Sequence, residues 1–220
     1  MSSIPPELQT AVSKSEQAQH DLVKSTPQLD NALSNSKSNG LPNIAIGPAQ
    51  GSYLSILCQM TKAKSVLEIG TLGGYSTIWF ATSVPGIKVT SIEYNEKHRD
   101  VAAENTKDLD NVEIILAAAL DVLPQLAEKG EKFDFIFIDA DWEEQEKYFD
   151  WAVKLSSKGS CIFVDNAVRQ LTESNGDEGK ALVDYVSKDE RVQATLIPML
   201  NTYKRTLSEL ADGFVMAIVK

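Results

Sequence analysis

The stretch Ser65-Val66-Leu67-Glu68-Ile69-Gly70-Thr71-Leu72-Gly73-Gly74-Tyr75-Ser76 is a short apolar run that ends in a glycine-rich turn and passes into helical spacing. Strand, turn and helix in that order open a parallel α/β sheet, and such sheets bind ligands outside the carboxyl ends of their strands. Downstream, the runs Lys88 to Ile92, Val112 to Leu116, Phe133 to Ile138 and Ser160 to Val164 repeat the buried-strand pattern. Helical stretches over Ser76 to Ser83, Lys97 to Asp108, Leu120 to Glu128 and Glu143 to Leu155 separate them. This alternation predicts right-handed crossovers onto a doubly wound parallel sheet. A helix near Glu178 to Ser187 and two closing strands, Val192 to Ile197 and Gly213 to Val219, bring the strand count to seven.

Toward the N-terminus, Pro5 and Pro6 start a weakly amphipathic helix over residues 5 to 24, with Leu8, Val12, Leu22 and Val23 as its apolar positions. Residues Ser34 to Pro48 are rich in Ser, Asn, Gly and Pro and read as a lid-like loop before a helix from Ala49 to Thr61. A polar insertion from Tyr203 to Asp212 is expected to border a pocket. The expected division is a helical extension and lid over 1–40 and one catalytic domain over 41–220.

The 220 residues suffice to bury a core without disulfides or structural metal. A formal net charge of −10 with no basic cluster disfavours phosphate backbones and anionic lipid, so neither nucleic acid nor membrane is expected as a partner. No apolar stretch approaches the roughly 20 residues needed to span a bilayer. Cys58 and Cys161 both lie in apolar segments and read as buried free thiols, which fits a reducing compartment. Without a leader or transit pattern, the expected location is the cytoplasm.

Chemistry concentrates at the predicted strand ends. Gly70, Gly73 and Gly74 allow close backbone approach to a ligand, but the spacing lacks the third helix-opening glycine of a dinucleotide site. Glu68 would repel a pyrophosphate and attract the ammonium of an amino-acid-bearing cofactor such as S-adenosylmethionine. Glu93, ending the second strand, can accept from ribose hydroxyls. Asp139 and Asp141 close the fourth strand, and Asp165 and Asn166 the fifth. Asp139, Asp165 and Asn166 are hard oxygen donors suited to magnesium, or to calcium or manganese, and with no His or Cys beside them zinc is disfavoured. A bare cluster of this kind repels itself unless a cation compensates. Each feature alone also has a bland reading, Asp165 and Asn166 as a helix cap among them.

Taken together and in order, Glu68 to Ser76, Phe133 to Asp141 and Asp165-Asn166 resemble the cation-dependent O-methyltransferases typified by the plant caffeoyl-coenzyme A and animal catechol enzymes, over residues about 40 to 220. The resemblance implies a Rossmann-like sheet with an antiparallel closing strand, a homodimer, and catechol-type acceptors such as phenylpropanoids, flavonoids or other diphenols. It also implies cofactor contacts from Glu68, Gly70, Thr71, Gly74, Ser76, Glu93, Ala119, Asp139 and Asp141. Asp139, Asp165 and Asn166 become the catalytic metal ligands. Trp142 stands where relatives commonly carry a lysine, and Gln170 where they carry a substrate-contacting asparagine, which makes both candidate substrate residues. With no lysine base, the proton is expected to leave to solvent or to a group such as Lys147. A nicotinamide-dependent oxidoreductase and a non-catalytic cofactor-binding protein of the same fold are the competing readings.

Overall fold

The computed structural model describes residues 5–173, 176–200 and 210–220. In chain order its strands are β1 (Ser65–Ile69), β2 (Lys88–Glu93), β3 (Val112–Leu116), β4 (Phe133–Ile138), β5 (Ser156–Val164), β6 (Val192–Leu200) and β7 (Ala211–Val219). The helices are α1 (Pro6–Leu22), α2 (Pro27–Ser38), α3 (Pro48–Thr61), α4 (Tyr75–Ala81), α5 (Glu96–Thr106), α6 (Ala119–Glu128), α7 (Gln145–Lys154), α8 (Ala167–Thr172) and α9 (Asp177–Ser187). The sheet order is β3-β2-β1-β4-β5-β7-β6, with β1 to β5 parallel. Because the chain winds outward from β1 to β3 and then returns to β4, the strand order reverses between β1 and β4. Their carboxyl ends therefore flank the crevice where such folds bind ligands.

The expected antiparallel strand is β7, but it does not lie at the edge. It is inserted between β5 and β6, antiparallel to both, and β6 forms the border. Leu67, Ile69, Ile136, Ile138, Ile162 and Val164 face a core layer closed by α6, α7 and α9. Val66, Phe135, Phe137 and Phe163 face the other layer, with Phe80 and Phe214, and the Phe163 and Phe214 rings stack at 4.1 Å. Both cysteines are free and buried, as expected. Among the described residues no helix is long and apolar enough to cross a membrane.

One helix runs into a segment whose composition suggested loop. Residues 34 to 38 belong to α2, started by Pro27 and by Thr26, whose Oγ1 accepts from Leu29 N. Its Ser and Asn residues are poor helix formers. The helix is held instead by burial of Leu29 and Ala32 in the same core layer as α3 and α4. Residues Ala167–Thr172 form the short helix α8 directly after Asn166. Residues 201–209, most of the predicted insertion, lie outside the described residues, while Leu210 and Asp212 are buried.

Candidate active site at the carboxyl edge of the sheet

The glycine turn is fixed by main-chain contacts as much as by any ligand. Gly70 has φ +99°, and a Cβ there would stand 2.0 Å from the carbonyl oxygen of Asp139, so β1 and β4 touch backbone to backbone at the crevice. Gly73 is small for another reason: a Cβ would meet Ser36 Oγ at 2.0 Å, on α2. Gly74 caps the start of α4.

Glu68 is fully buried and accepts from three hydroxyls, Ser76 Oγ and Thr77 Oγ1 at 2.5 Å and Ser91 Oγ at 2.6 Å. Thr71 Oγ1 and Ser91 Oγ lie 2.6 Å apart, which ties the turn into the same network. Glu93 Oε2 accepts from the N–H groups of Thr71 and Leu72 at 3.2 and 2.8 Å, and Oε1 from Asn95 N at 2.9 Å. These bonds use three of the roughly four acceptor positions of a carboxylate, leaving one at Oε1. His98 is half-buried, with Nδ1 3.7 Å from that oxygen. Ala119 begins α6 at the end of β3, whose following residue Ala117 donates to Glu93 O at 3.0 Å.

Burial pushes the Glu68 carboxyl up to about 7, the three hydroxyls pulling it down and Glu93 adding to the rise. An acid whose folded pKa is raised binds a proton more tightly in the native state, so the protein loses stability as pH rises through that window. Between pH 5 and 8 this costs up to about 3 kcal/mol. Thermal denaturation should therefore show Glu68→Gln less sensitive to that pH change than the wild type. Parallel curves for the two proteins would contradict the assignment.

Asp139 and Asp165 leave adjacent strands in register: Ile138 pairs with Val164, and Asp165 N donates to Ile138 O at 2.9 Å. Burial raises the Asp165 pKa well above the usual carboxylate range, and Asp139 and then Asp212 raise it further. The side chain of Gln50, on the first turn of α3, faces the Asp165 carboxylate and partly offsets the rise. Asn166 adopts the left-handed conformation at φ +58°, and its Nδ2 donates to Asp212 Oδ2 at 3.1 Å. That bond leaves the amide oxygen of Asn166 to face elsewhere. Asp212 is buried, its Oδ1 accepting from Gly213 N. Among the described residues no group of three or more His, Cys, Asp and Glu side chains is placed to hold a metal ion. What the contacts link is Asp165 with Asp139 and Asp212 by charge, and Asp212 with the Asn166 carboxamide by a hydrogen bond.

Asp141 accepts from Tyr148 OH at 2.7 Å, and burial, then Asp141, raises the Tyr148 pKa. Trp142 opens the 3₁₀ turn Trp142–Glu144, with the Arg169 guanidinium 5.5 Å from its ring centroid and Arg169 clamped by Glu173. Gln170 is fully buried, its Nε2 donating to Gln145 Oε1 at 2.9 Å. Lys147 is exposed and paired with Glu144. Sequence reasoning missed Gln50 and did not assign Asp212 a role. An acid beside a glycine at the start of the last apolar run, Ala211-Asp212-Gly213, was the available signal for the second.

The family profile described as O-methyltransferase matches residues 17–206. The chain belongs to the O-methyltransferase family. A catechol O-methyltransferase of Mycobacterium tuberculosis is 39% identical to this O-methyltransferase over 210 residues, covering 90% of this chain and 91% of that protein. The O-methyltransferase imqG of Aspergillus flavus is 38% identical, covering 87% and 82%. The crystal structure of a Bacillus cereus O-methyltransferase in complex with S-adenosylhomocysteine (SAH) superposes with a TM-score of 0.85 at 38% identity, covering 93% of this chain and 96% of that one. Family membership sets the dehydrogenase reading aside.

Proposed function

We propose that this O-methyltransferase moves the methyl group of S-adenosylmethionine to one hydroxyl of a free diphenol, with Asp139, Asp165 and Asn166 holding a divalent cation. The observation that carries this reading is that buried Asp165 and half-buried Asp139 leave neighbouring strand ends side by side, where the Asp139 charge opposes that of Asp165. Two like charges this close repel each other, and a divalent cation between them would relieve that repulsion. Two carboxylates and the carboxamide oxygen of Asn166 would form an all-oxygen donor set that fits magnesium better than zinc.

The cation would supply Lewis acidity, lowering the pKa of a hydroxyl it chelates. S-adenosylmethionine would supply a methyl group on a positively charged sulfur. The chain's own part is positional. Glu68, Gly70, Thr71, Gly74 and Ser76 shape the turn beside the crevice, and Glu93 stands at the end of β2 to receive a ribose hydroxyl. Asp139, as a further cofactor contact, and Asp141 would border the methionine end of the cofactor. Ala119 would border its base. Trp142 would supply an aromatic wall for a planar acceptor, and Gln170 would act from behind Asp165. With Lys147 exposed and paired, the proton goes to solvent.

The relative named for catechol supports a free diphenol as acceptor, and a homodimer in the cytoplasm remains part of the same reading. A transfer assay on catechol, caffeate, caffeoyl-coenzyme A and a monophenol tests it. Chelator should lower transfer to catechol at least about a hundredfold, and magnesium should restore it. Chelator-insensitive transfer, or equal rates on the monophenol, would overturn the cation role.

A further inference from the structure

Asn105, in the last turn of α5, is only 4% exposed, yet its side chain binds on both sides. Its Nδ2 donates to Gly73 O at 2.8 Å and reaches Ala32 O at 3.4 Å, and its Oδ1 accepts from Asn35 Nδ2 at 2.8 Å. One carboxamide thus joins the glycine turn, α2 and α5. Gln28 adds a contact from α2 to the Asn105 carbonyl at 3.4 Å. From the other side the turn rests on α2 directly, because Gly73 leaves no room for a Cβ against Ser36 Oγ and would place it 3.4 Å from Leu41 Cδ2. The same face of α2 is anchored by Leu29 and Ala32 in the core. None of these groups is used by the chemistry proposed above.

We propose that Asn105 is a positioning residue for the cofactor turn and that α2 is a working part of the cofactor site, its docking and cofactor binding favouring one another. The proposal rests on the reading that S-adenosylmethionine binds at this turn. Removing the carboxamide leaves a buried carbonyl at Gly73 without its donor, which costs more than the bond itself. The turn then relaxes away from the geometry that the cofactor requires. Coupling between α2 and the turn is reciprocal, so a ligand on the turn must also hold α2 more firmly.

The test is SAH titration by calorimetry with hydrogen exchange on the full chain, in wild type, Asn105→Ala, Asn35→Ala and Asn111→Ala. Asn111 is the control, since its Nδ2 bridges Ala81 O and Ile87 O at 2.9 Å each, away from the turn. SAH affinity should fall about tenfold in Asn105→Ala, less in Asn35→Ala, and stay unchanged in Asn111→Ala. The KM for the acceptor should not move. SAH should slow exchange of the α2 amides in wild type and much less in Asn105→Ala. Unchanged affinity in both Asn105→Ala and Asn35→Ala, or α2 protection that survives both, would overturn the proposal. If Asn105→Ala does not fold, Asn35→Ala decides alone. Failure of the wild type to bind SAH would instead reject the cofactor reading, and this inference with it.

Discussion

Asp165→Asn should lower methyl transfer by about three orders of magnitude, equivalent to roughly 4 kcal/mol of transition-state stabilisation, while the metal-free protein becomes more stable. The two effects share one cause. Asp165 is buried, and burial, Asp139 and Asp212 all oppose its negative charge. A neutral amide of the same shape removes that opposition and with it an oxygen anion for the cation. Magnesium should raise the melting temperature of the wild type and leave that of the variant unchanged, and SAH should bind both alike. A variant that loses activity together with SAH binding would place Asp165 in the cofactor site instead. One that melts lower than wild type would show that the carboxylate stabilises the fold.

Gly70→Ala should cost at least about 3 kcal/mol and abolish cofactor binding. At φ +99° any side chain is strained, and here the new Cβ would also press to 2.0 Å from the Asp139 carbonyl oxygen, which belongs to backbone and has no rotamer to escape through. Moving that carbonyl displaces the strand end that carries the Asp139 side chain. Gly86→Ala separates the two causes, because Gly86 has φ +78° with open space around it. It should cost about 1 kcal/mol and leave activity intact. Denaturant unfolding of the two variants is the check. Equal losses would mean that strain alone, not contact between β1 and β4, requires glycine at 70.

These positions also show what the sequence made legible. Strands β1, β3 and β4 lie where their apolar runs predict: β1 and β4 are buried on both faces and therefore almost wholly apolar, whereas the edge strand β3 is half-buried, with Glu113 and Leu116 exposed. The Asp139 and Asp165 pair could be placed for the same reason: each follows directly on such a run, so aligning the strands aligns the acids. Helix α2 was hidden, since Ser34, Asn35, Ser36 and Ser38 favour turns and only Leu29 and Ala32, through tertiary packing, make them helical. Gly73 was legible as a glycine but not for its reason, which is contact with Ser36 from a helix the composition did not reveal. Glu93 was readable as an acceptor, whereas its bonds to the Thr71 and Leu72 amides depend on how the turn folds back over β2. Asp212 depends on β7 lying beside β5, a pairing no local pattern encodes.

The most direct measurement is anomalous diffraction from crystals of the full chain grown with manganese and SAH. A peak within coordination distance of Asp139, Asp165 and Asn166, absent from Asp165→Asn crystals, is the predicted result. No peak between β4 and β5 in crystals that contain SAH at the glycine turn would contradict the account.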